Sequence, residues 1–348
     1  MRGIQLVKYG ITEDCLVYKE DLPKPTIKSP YEVLVRVKAV GVNPVDAKLA
    51  SGNISRFLAK LPSVIGGDYS GLIEEKGDRV TEFQVGDQVF GALPFVAGPQ
   101  GSYAEYTIVD TSKTSIAKKP EHLSFEQAAS AGIAVLTAYQ ALVKFSPISK
   151  QKRKILVVGA SGGVGAYGIQ IARAYNPENT VVGICSGKNA EFVKSLGADI
   201  VVDYTDKEAF KEFITRDKAT FDHIFDCVGG DDYYNKLAPL LNKKGIYSTA
   251  VGPVEHIGSK PVGVSTIFSI VWNVGTKQLF KSNPYKIVTS LPHADFRTDI
   301  GPLFESKALR GMVIDEKENI LPLKEAFKAH RKLLSHRTVG KIVLTVDE

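Results

Sequence analysis

The chain has 348 residues, 44% of them hydrophobic and 24% charged, and its 44 basic and 38 acidic residues give a net charge of +6. This length accommodates two domains, and the composition is ordinary for a globular protein. Because basic residues are interspersed with acidic ones, we expect no specific nucleic-acid partner. The three cysteines form no C-x-x-C pair, which argues against a disulfide framework. The N-terminal residues lack the apolar core of a signal peptide, so we expect a cytoplasmic protein.

Residues 1–126 show short β-patterns separated by glycine, proline and aspartate. They include Glu32–Val40, Gly71–Glu75, Asp87–Phe90 and Tyr103–Val109. Short strands at this spacing predict a small antiparallel, barrel-like domain.

The segment Ile155–Gly165 (ILVVGASGGVG) carries the clearest functional signal. Its apolar run Ile155–Val158 predicts a central parallel strand, and a helical pattern follows over Val164–Tyr175. The glycines between them let the backbone turn tightly and approach a ligand, while the helix N-terminus presents unpaired N–H groups. The pattern A-x-G-x-x-G, with alanine in place of the first glycine, therefore predicts a pyrophosphate site.

Four further strand patterns follow this turn and alternate with helical ones. The strands are predicted at Thr180–Ser186, Asp199–Tyr204, Phe221–Val228 and Gly245–Val251, and the helices at Asn189–Leu196, Lys207–Ile214 and Asp232–Leu241. Such alternation predicts an α/β fold of the Rossmann type. Its doubly wound parallel sheet would hold a ligand at the carboxyl ends of the strands.

The end of the second strand indicates which dinucleotide binds. NAD-specific sites usually place an acid there for the ribose hydroxyls, whereas this chain has Cys185, Ser186, Gly187 and Lys188. A serine hydroxyl and a lysine can both donate to a 2′-phosphate. NADPH is therefore the predicted cofactor, although Lys188 taken alone is equally well read as an ordinary surface lysine.

Beyond the fifth strand, helical patterns at Ile300–Leu309 and Leu323–Leu334 alternate with strand patterns at Met312–Asp315 and Gly340–Val346. The longest apolar stretch, Val262–Gly275, is too short and too interrupted to span a bilayer. Together with the basic net charge, this stretch leaves a peripheral membrane contact open.

Nine motifs follow one another along almost the whole chain: GVNPVDAK (Gly41–Lys48), VIGGDYSG (Val64–Gly71), FQVGDQVFG (Phe83–Gly91), GSYAEY (Gly101–Tyr106), LTAYQAL (Leu136–Leu142), VVGASGGVG (Val157–Gly165), FVKSLGAD (Phe192–Asp199), FDCVGG (Phe225–Gly230) and VGKIVL (Val339–Leu344). With these motifs the chain resembles the medium-chain dehydrogenase/reductase superfamily in its zinc-free quinone oxidoreductase branch. It is similar in particular to the plant chloroplast-envelope and mitochondrial reticulon-interacting members.

The resemblance implies a discontinuous GroES-like, β-rich catalytic domain over residues 1–126 and 292–348, and a Rossmann NADPH-binding domain over residues 127–291. It also implies a homodimer. The expected activity is NADPH-dependent, zinc-independent hydride transfer that reduces quinones or the activated C=C bond of α,β-unsaturated carbonyls.

The resemblance further implies that no metal is bound. Zinc-dependent members carry a cysteine where this chain has Asn43, a His-Glu pair at Gly67–Asp68, and a further cysteine near Ile133. A tetrahedral zinc needs three or four converging ligands, and Asp68 alone cannot hold it. Without a Lewis acid, the acceptor has to be electron-poor already.

Cofactor-binding roles carry over from the family to twelve positions. Those expected at the pyrophosphate are Ser161, Gly162, Gly163 and Val164; those at the 2′-phosphate are Ser186 and Lys188; Tyr204 is expected near the adenosine, and Thr137, Cys227, Val228 and Val251 around the nicotinamide ribose or carboxamide, with Lys341 closing the site. Three of them are read equally well as the core of a buried strand: Cys227, Val228 and Val251.

Candidate catalytic residues lie in the N-P-V-D stretch. Asn43 is suited to hydrogen-bond a carbonyl or the nicotinamide ribose. Asp46 is read either as catalytic or as a brace of the turn. Lys48 replaces a tyrosine that several double-bond reductases carry, and it could stabilise an enolate or remain a solvated lysine. Water is an alternative proton donor.

Two other functions stay open at the level of sequence. One is an NADPH-binding protein with little catalysis that acts as a scaffold, a membrane-associated factor or an RNA-binding factor. The other is an enoyl-thioester reductase, which would need a long apolar tunnel with walls such as Thr266–Trp272 and Phe280.

Overall fold

The structure is a computed structural model that describes residues 1–52, 61–94, 101–145, 148, 151–252, 272, 274–277, 283–290 and 295–346. The chain divides into two compact units. Unit 1 comprises Met1–Leu136 and Leu291–Glu348, and unit 2 comprises Thr137–Ser290. The first division lies ten residues after the predicted boundary at 126/127, and the second lies one residue before the predicted 291/292.

The described strands, numbered in chain order, are β1 Gly3–Leu6, β2 Leu16–Lys19, β3 Glu32–Gly41, β4 Ser63–Val64, β5 Asp68–Lys76, β6 Gln88–Ala92, β7 Tyr106–Asp110, β8 Ser115–Lys118, β9 Lys154–Val158, β10 Thr180–Cys185, β11 Ile200–Asp203, β12 Phe221–Asp226, β13 Leu241–Thr249, β14 Tyr285–Ile287, β15 Ile320–Pro322 and β16 Val343–Thr345.

The α-helices among these residues are α1 Pro44–Ala50, α2 Phe125–Ala129, α3 Gly132–Tyr139, α4 Gly163–Tyr175, α5 Ala190–Ser195, α6 Lys207–Arg216, α7 Asp231–Leu237, α8 Gly301–Glu305, α9 Glu316–Asn319 and α10 Ala326–Leu334. Shorter 3₁₀ and π-helical turns adjoin several of them at Gln140–Lys144, Gly187–Asn189, Ala238–Leu240, Phe296–Ile300 and Leu323–Glu325.

Unit 2 is built on a parallel six-stranded sheet in the order β11-β10-β9-β12-β13-β14. Counted within the unit, this order is 3-2-1-4-5-6, the doubly wound Rossmann arrangement. The central strand β9 is apolar and almost entirely buried, because neighbouring strands and helices cover it. Val158 pairs with Ile184 of β10 and with Asp226 of β12, so the carboxyl ends of three strands align. The predicted α/β fold is confirmed, and β14 is a strand that the sequence patterns did not predict.

Unit 1 contains a seven-stranded sheet in the order β15-β16-β3-β5-β6-β8, with β7 on β3, and a three-stranded sheet in the order β2-β1-β4. Apart from the parallel pair β15–β16, the strands pair antiparallel. The C-terminal strand β16 joins β3, with Val343 opposite Gly41. The Val42 N–H continues this pairing by donating to the Ile342 carbonyl at 2.9 Å. This pairing places Lys341 beside Asn43, the residue that precedes α1.

The structure corrects one predicted strand. Met312–Asp315 forms no strand, because its polar groups bond outside any ladder: the Met312 N–H donates to Ser130 Oγ at 2.8 Å, and the Met312 carbonyl accepts from the Lys341 N–H. Asp315 instead caps α9 by accepting from the Glu318 N–H. The strand of this region is β15, five residues after Asp315.

Two predicted helices are shorter than their patterns. The first, predicted over Asp232–Leu241, ends as α7 at Leu237; a 3₁₀ turn containing Pro239 follows, and Leu241 already begins β13. The second, predicted over Ile300–Leu309, ends as α8 at Glu305. Most of the apolar stretch 262–275 and of the tunnel residues 266–272, and also Phe280, lie outside the described residues.

Candidate active site

The glycine-rich turn of unit 2 joins β9 to α4. Gly159 adopts φ +74°, a left-handed conformation that glycine tolerates without strain. The N–H groups of Gly159 and Ala160 both donate to the Ile184 carbonyl, which ties the turn to β10. A Cβ on Gly165 would stand 2.2 Å from the Gly159 carbonyl oxygen, so only glycine lets α4 pack this closely on the turn.

A phosphate fits this turn. Gly162 is the N-cap of α4 and offers no capping side chain. A Cβ built on Gly162 would meet only the Gly159 carbonyl oxygen, at 3.4 Å, so the space in front of the helix is open. The 13-residue helix presents its positive dipole end there. The four predicted pyrophosphate residues, Ser161–Val164, therefore lie together where an anion is favoured.

The end of β10 carries the residues predicted at the 2′-phosphate. Ser186 is half-buried and Lys188 is exposed, in the 3₁₀ turn after the strand. Tyr204 follows β11, is 47% exposed, and donates its N–H to the Cys185 carbonyl at 3.2 Å. The structure thus brings Ser186, Lys188 and Tyr204 to the same edge of the sheet.

A carboxylate lies at this edge that the sequence analysis did not consider. Asp203 pairs with Cys185 across β10 and β11, and a Cβ on Gly187 would stand 2.3 Å from its Oδ2. The hydroxyl and N–H of Thr205 donate to Asp203 Oδ1 at 2.7 and 2.8 Å. These bonds, the hydroxyl bond foremost, hold the pKa of the carboxyl below its usual value. Asp203 therefore remains ionised and braces the two loops.

Asn189 is a second residue that sequence reasoning missed. Its Nδ2 donates to Ser161 Oγ and to Ser186 Oγ, both at 3.2 Å. The amide therefore connects the glycine-rich turn before α4 with the loop after β10. An asparagine three residues after a strand-end serine is the only sequence signal for this contact.

Loops at the carboxyl ends of β12 and β13 bring the predicted residues Val228 and Cys227 close to Gly159, and Val251 close to Gly229. Asp226 Oδ1 accepts from the N–H groups of Val228 and Gly229 at 2.9 Å each, which shapes the loop after β12. A Cβ on Gly159 would be 3.1 Å from Val228 Cγ2 and 3.7 Å from Cys227 Cβ, and a Cβ on Gly229 would be 2.6 Å from Val251 Cβ.

Two predicted residues around the nicotinamide have defined chemistry in this structure. Desolvation, with the nearby Asp226 carboxylate, raises the pKa of the Cys227 thiol well above its usual value, so this group stays a neutral thiol. Thr137 Oγ1 lies 2.6 Å from Ser290 Oγ, a contact within unit 2. Both side chains offer polar groups of no net charge.

Unit 1 holds a buried network around Lys341. The Lys341 ammonium donates to Asn43 Oδ1 at 2.6 Å, to the Val42 carbonyl at 2.9 Å and to Asp68 Oδ2 at 3.2 Å. Asp68 Oδ1 accepts from the Ile133 N–H at 2.7 Å. An ammonium has three N–H donors, so all of those of Lys341 are used inside unit 1. Its expected role in closing the cofactor site would require one of these bonds to break.

Asp46 is buried in the first turn of α1, where its contacts suit the interpretation as a brace of the turn. It is 3% exposed, and its Oδ2 accepts from the Asn43 N–H at 2.9 Å and from the Tyr103 hydroxyl at 3.4 Å. The Tyr103 oxygen lies 3.1 Å from Nε2 of buried His330. Burial, reinforced by the charge of Asp68, raises the pKa of Asp46 to about 7. Burial also lowers the pKa of His330 to about 4, so this imidazole is neutral.

Lys48 differs from the other two predicted catalytic residues. It is half-buried in the last turn of α1, and desolvation lowers the pKa of its ammonium. Among the residues that the structure describes, its side chain forms no hydrogen bond or ion pair with another residue. A partly desolvated ammonium without an anionic neighbour can stabilise negative charge that develops on a ligand.

The positions of the zinc ligands in related enzymes do not fit a zinc ion in this chain. Asn43 and Asp68 both bond to the Lys341 ammonium, and a second cation there would be repelled. A Cβ on Gly67 would stand 2.6 Å from Ile133 Cδ1, so apolar packing fills the remaining space. Over the described ranges, no group of three or more His, Cys, Asp or Glu residues could hold a metal ion.

A separate cavity of about 520 Å³ in unit 1 is lined by residues that include Phe83, Arg297 and Pro302 and by none of the predicted site residues.

None of the helices described is both long and apolar enough to cross a bilayer.

Comparison with known proteins gives two family matches. A model of zinc-binding dehydrogenases matches residues 196–344, and one of the alcohol dehydrogenase GroES-like domain matches residues 29–121. The mitochondrial NAD(P)H oxidoreductase RTN4IP1 of Danio rerio is 37% identical, over 98% of this chain and 90% of that protein. The chloroplastic quinone-oxidoreductase homolog of Spinacia oleracea is 30% identical, over 99% and 98%. The structure of the quinone oxidoreductase from Coxiella burnetii is 28% identical, with a TM-score of 0.79 over 100% of this chain and 99% of that one.

Proposed function

Since the chain belongs to the medium-chain dehydrogenase/reductase superfamily, among NAD(P)H oxidoreductases and quinone oxidoreductase homologues, we propose that it uses NADPH to reduce quinones or the activated C=C bond of α,β-unsaturated carbonyls. The observation that carries the proposal is Lys48, a desolvated ammonium without an anionic partner among the described residues, on the helix that Asn43 caps. It offers positive charge to a substrate oxygen in a unit where Lys341 bonds to Asn43 and Asp68, two residues at the positions of zinc ligands in zinc-dependent members.

The chemistry follows from this arrangement. NADPH, when bound, would supply the hydride for the quinone or for the β-carbon of the enone. Negative charge then develops on the carbonyl oxygen, and the Lys48 ammonium stabilises it electrostatically. One proton, from Lys48 or from water, completes the reduction, so acceptor, NADPH and H⁺ give the reduced product and NADP⁺.

The preference for NADPH rests on the end of β10. Ser186 can donate a hydroxyl and Lys188 an ammonium to a 2′-phosphate, and Tyr204 adds a phenol at the same edge. The Asp203 carboxylate at this edge opposes the preference for NADPH, because a carboxylate repels phosphate. Thr205 donates twice to its Oδ1, and backbone groups of Gly187 and Asp206 also hydrogen-bond the carboxylate, so we assign Asp203 to the loops and not to a ribose hydroxyl.

Loss of NADPH absorbance in a stopped-flow instrument tests the activity. The acceptors are para-quinones, enones and alkenals, with a saturated aldehyde as the matched control. We expect turnover with the conjugated acceptors and little with the saturated one, which lacks an electron-poor double bond. Tight NADPH binding without turnover of any conjugated acceptor would instead support the alternative of a cofactor-binding protein with little catalysis.

A substitution at Ser186 tests the cofactor preference. Ser186→Glu places a carboxylate against the 2′-phosphate, so affinity for NADPH should fall at least about tenfold while affinity for NADH is kept or rises. Ser186→Ala removes only the hydroxyl and serves as the matched control. Equal affinities for NADPH and NADH in the wild-type chain, unchanged in Ser186→Glu, would refute the assignment.

We also propose that the protein acts as a homodimer in the cytoplasm. All three cysteines, Cys15, Cys185 and Cys227, are free thiols, which suits a reducing compartment. The two relatives compared above carry the names of mitochondrial and chloroplastic proteins, so imaging of a tagged full-length chain is the required test of location. Light scattering would give the mass of the assembly.

A further inference from the structure

Asn189 lies between two loops that the proposed function assigns to different phosphates. Ser161 belongs to the glycine-rich turn before α4, and Ser186 follows β10. The Nδ2 atom of Asn189 stands 3.2 Å from each serine oxygen, and the three side chains are half-buried. One amide therefore connects both ends of the predicted binding surface.

The direction of these hydrogen bonds has a consequence for the serines. An amide nitrogen carries two hydrogens and accepts none, so both serine oxygens are acceptors towards Asn189. A hydroxyl that accepts one bond keeps its own hydrogen for another acceptor. Both serine hydroxyls therefore keep a hydrogen that they can donate. A phosphate oxygen, which only accepts, requires such a donor.

We propose that Asn189 is a positioning residue that orients the hydroxyls of Ser161 and Ser186 towards the pyrophosphate and the 2′-phosphate of the cofactor. The proposal rests on the proposed function, since it presumes a phosphorylated dinucleotide at this edge of unit 2. Asn189 touches no phosphate itself; it acts through the two serines. Because one side chain orients both, the two phosphate contacts are preorganised together.

The substitution Asn189→Asp tests the proposal directly. Aspartate has the same shape but only accepts, so the serine hydroxyls would turn towards it and away from the phosphates. We expect affinity for NADPH, measured by calorimetry, to fall about 10- to 100-fold. Adenosine 2′,5′-bisphosphate, which carries the 2′-phosphate without the nicotinamide, should weaken as well.

The matched control is Asn176→Asp, the same chemical change in the same unit. Asn176 Oδ1 accepts from the Glu178 N–H, a role that aspartate retains, and no predicted cofactor residue is involved. Its affinity for NADPH should be unchanged. Wild-type affinity in Asn189→Asp would overturn the proposal, since it would mean that the amide oxygen, and not the nitrogen, faces the serines.

A double-mutant cycle separates positioning from a structural role. If Asn189 acts through the serines, Asn189→Ala should weaken NADPH binding in the wild-type background and have no further effect in a chain that carries Ser161→Ala and Ser186→Ala. An equal loss in both backgrounds would refute the proposal. Failure of the wild-type chain to bind either nucleotide would instead contradict the proposed function, so the two failures are distinguishable.

Discussion

Nζ of Lys341 lies 2.6 Å from Oδ1 of Asn43, although 298 residues separate them in the chain. Because lysine only donates, this contact determines the orientation of the Asn43 amide: its oxygen faces the ammonium and its nitrogen faces the other way. That nitrogen, Nδ2, donates to the Gly41 carbonyl at 3.5 Å, so the Asn43 side chain is held at both ends. The same ammonium neutralises Asp68, which is wholly buried.

Removing the lysine should destabilise unit 1. Lys341→Met leaves the Asp68 carboxylate buried without its cation, and breaking such a pair from one side costs about 3–5 kcal/mol. We expect a loss of this size in the free energy of unfolding, measured with urea. Lys341→Met combined with Asp68→Asn removes both charges and should recover most of the loss. A stable single variant would show that the pair contributes little.

The buried carboxyl of Asp46 should make stability depend on pH. Its pKa of about 7 in the folded chain lies above the ordinary value of 3.8. The folded state therefore holds this proton more tightly than the unfolded state. Its contribution is present below about pH 4 and is lost as the pH rises to about 7. Integrated over that window, the difference is about 4 kcal/mol at most.

Asp46→Asn isolates this contribution, because asparagine keeps an acceptor oxygen and does not titrate. The difference in unfolding free energy between wild type and variant should change across pH 4–7 and stay constant above it. Asp78→Asn, at an exposed position, is the control for removal of one carboxylate. A difference for Asp46→Asn that stays flat across pH 4–7 would exclude the raised pKa.

Lys48 should affect turnover and not cofactor binding. Lys48→Met removes the charge that stabilises the developing oxyanion, and kcat with a quinone should fall about 100-fold while the affinity for NADPH stays unchanged. Lys113→Met, at a side chain that is 79% exposed, should leave both quantities as in the wild type. If Lys48→Met is fully active, the lysine has no part in the reaction.

The pH profile gives a second readout for Lys48. Because desolvation lowers its pKa, the wild-type ammonium loses its proton at a lower pH than an ordinary lysine, and kcat should decline accordingly at alkaline pH. Arginine remains charged there. Lys48→Arg should therefore retain part of the activity and shift the decline to higher pH. An unshifted profile would indicate that another group titrates.

Two glycines of the same turn should respond differently to alanine. Gly162→Ala adds a methyl group into open space, so stability should change by less than about 1 kcal/mol while affinity for NADPH falls at least about tenfold. Gly165→Ala drives a methyl group into the Gly159 carbonyl and should cost about 1–3 kcal/mol. Thermal unfolding and nucleotide titration of both variants measure these effects. Wild-type NADPH affinity in Gly162→Ala would place the phosphate elsewhere.

The parallel sheet and the glycine-rich turn could be predicted because their signals are local. An apolar run such as β9 followed by glycines and a helical pattern reports on neighbouring residues only, and five of the six strands of unit 2 were found in this way. Strand β14 is three residues long and adjoins residues of unclear pattern, so it was missed. The strand predicted over Met312–Asp315 was wrong, because an apolar pattern does not reveal where the backbone N–H groups of the segment bond.

The sequence by itself therefore determined the fold class, the family and the chemistry on offer at each candidate position, since periodicity and residue type are properties of short segments. Only the tertiary structure decided which of those groups meet. The pairing of β16 with β3 brings Lys341 into hydrogen-bond contact with Asn43. Asn189 likewise contacts both Ser161 and Ser186, which lie in different loops. The physical reason is that hydrogen bonds and charge pairs depend on distances in space, and strand pairing sets these between residues far apart in the chain.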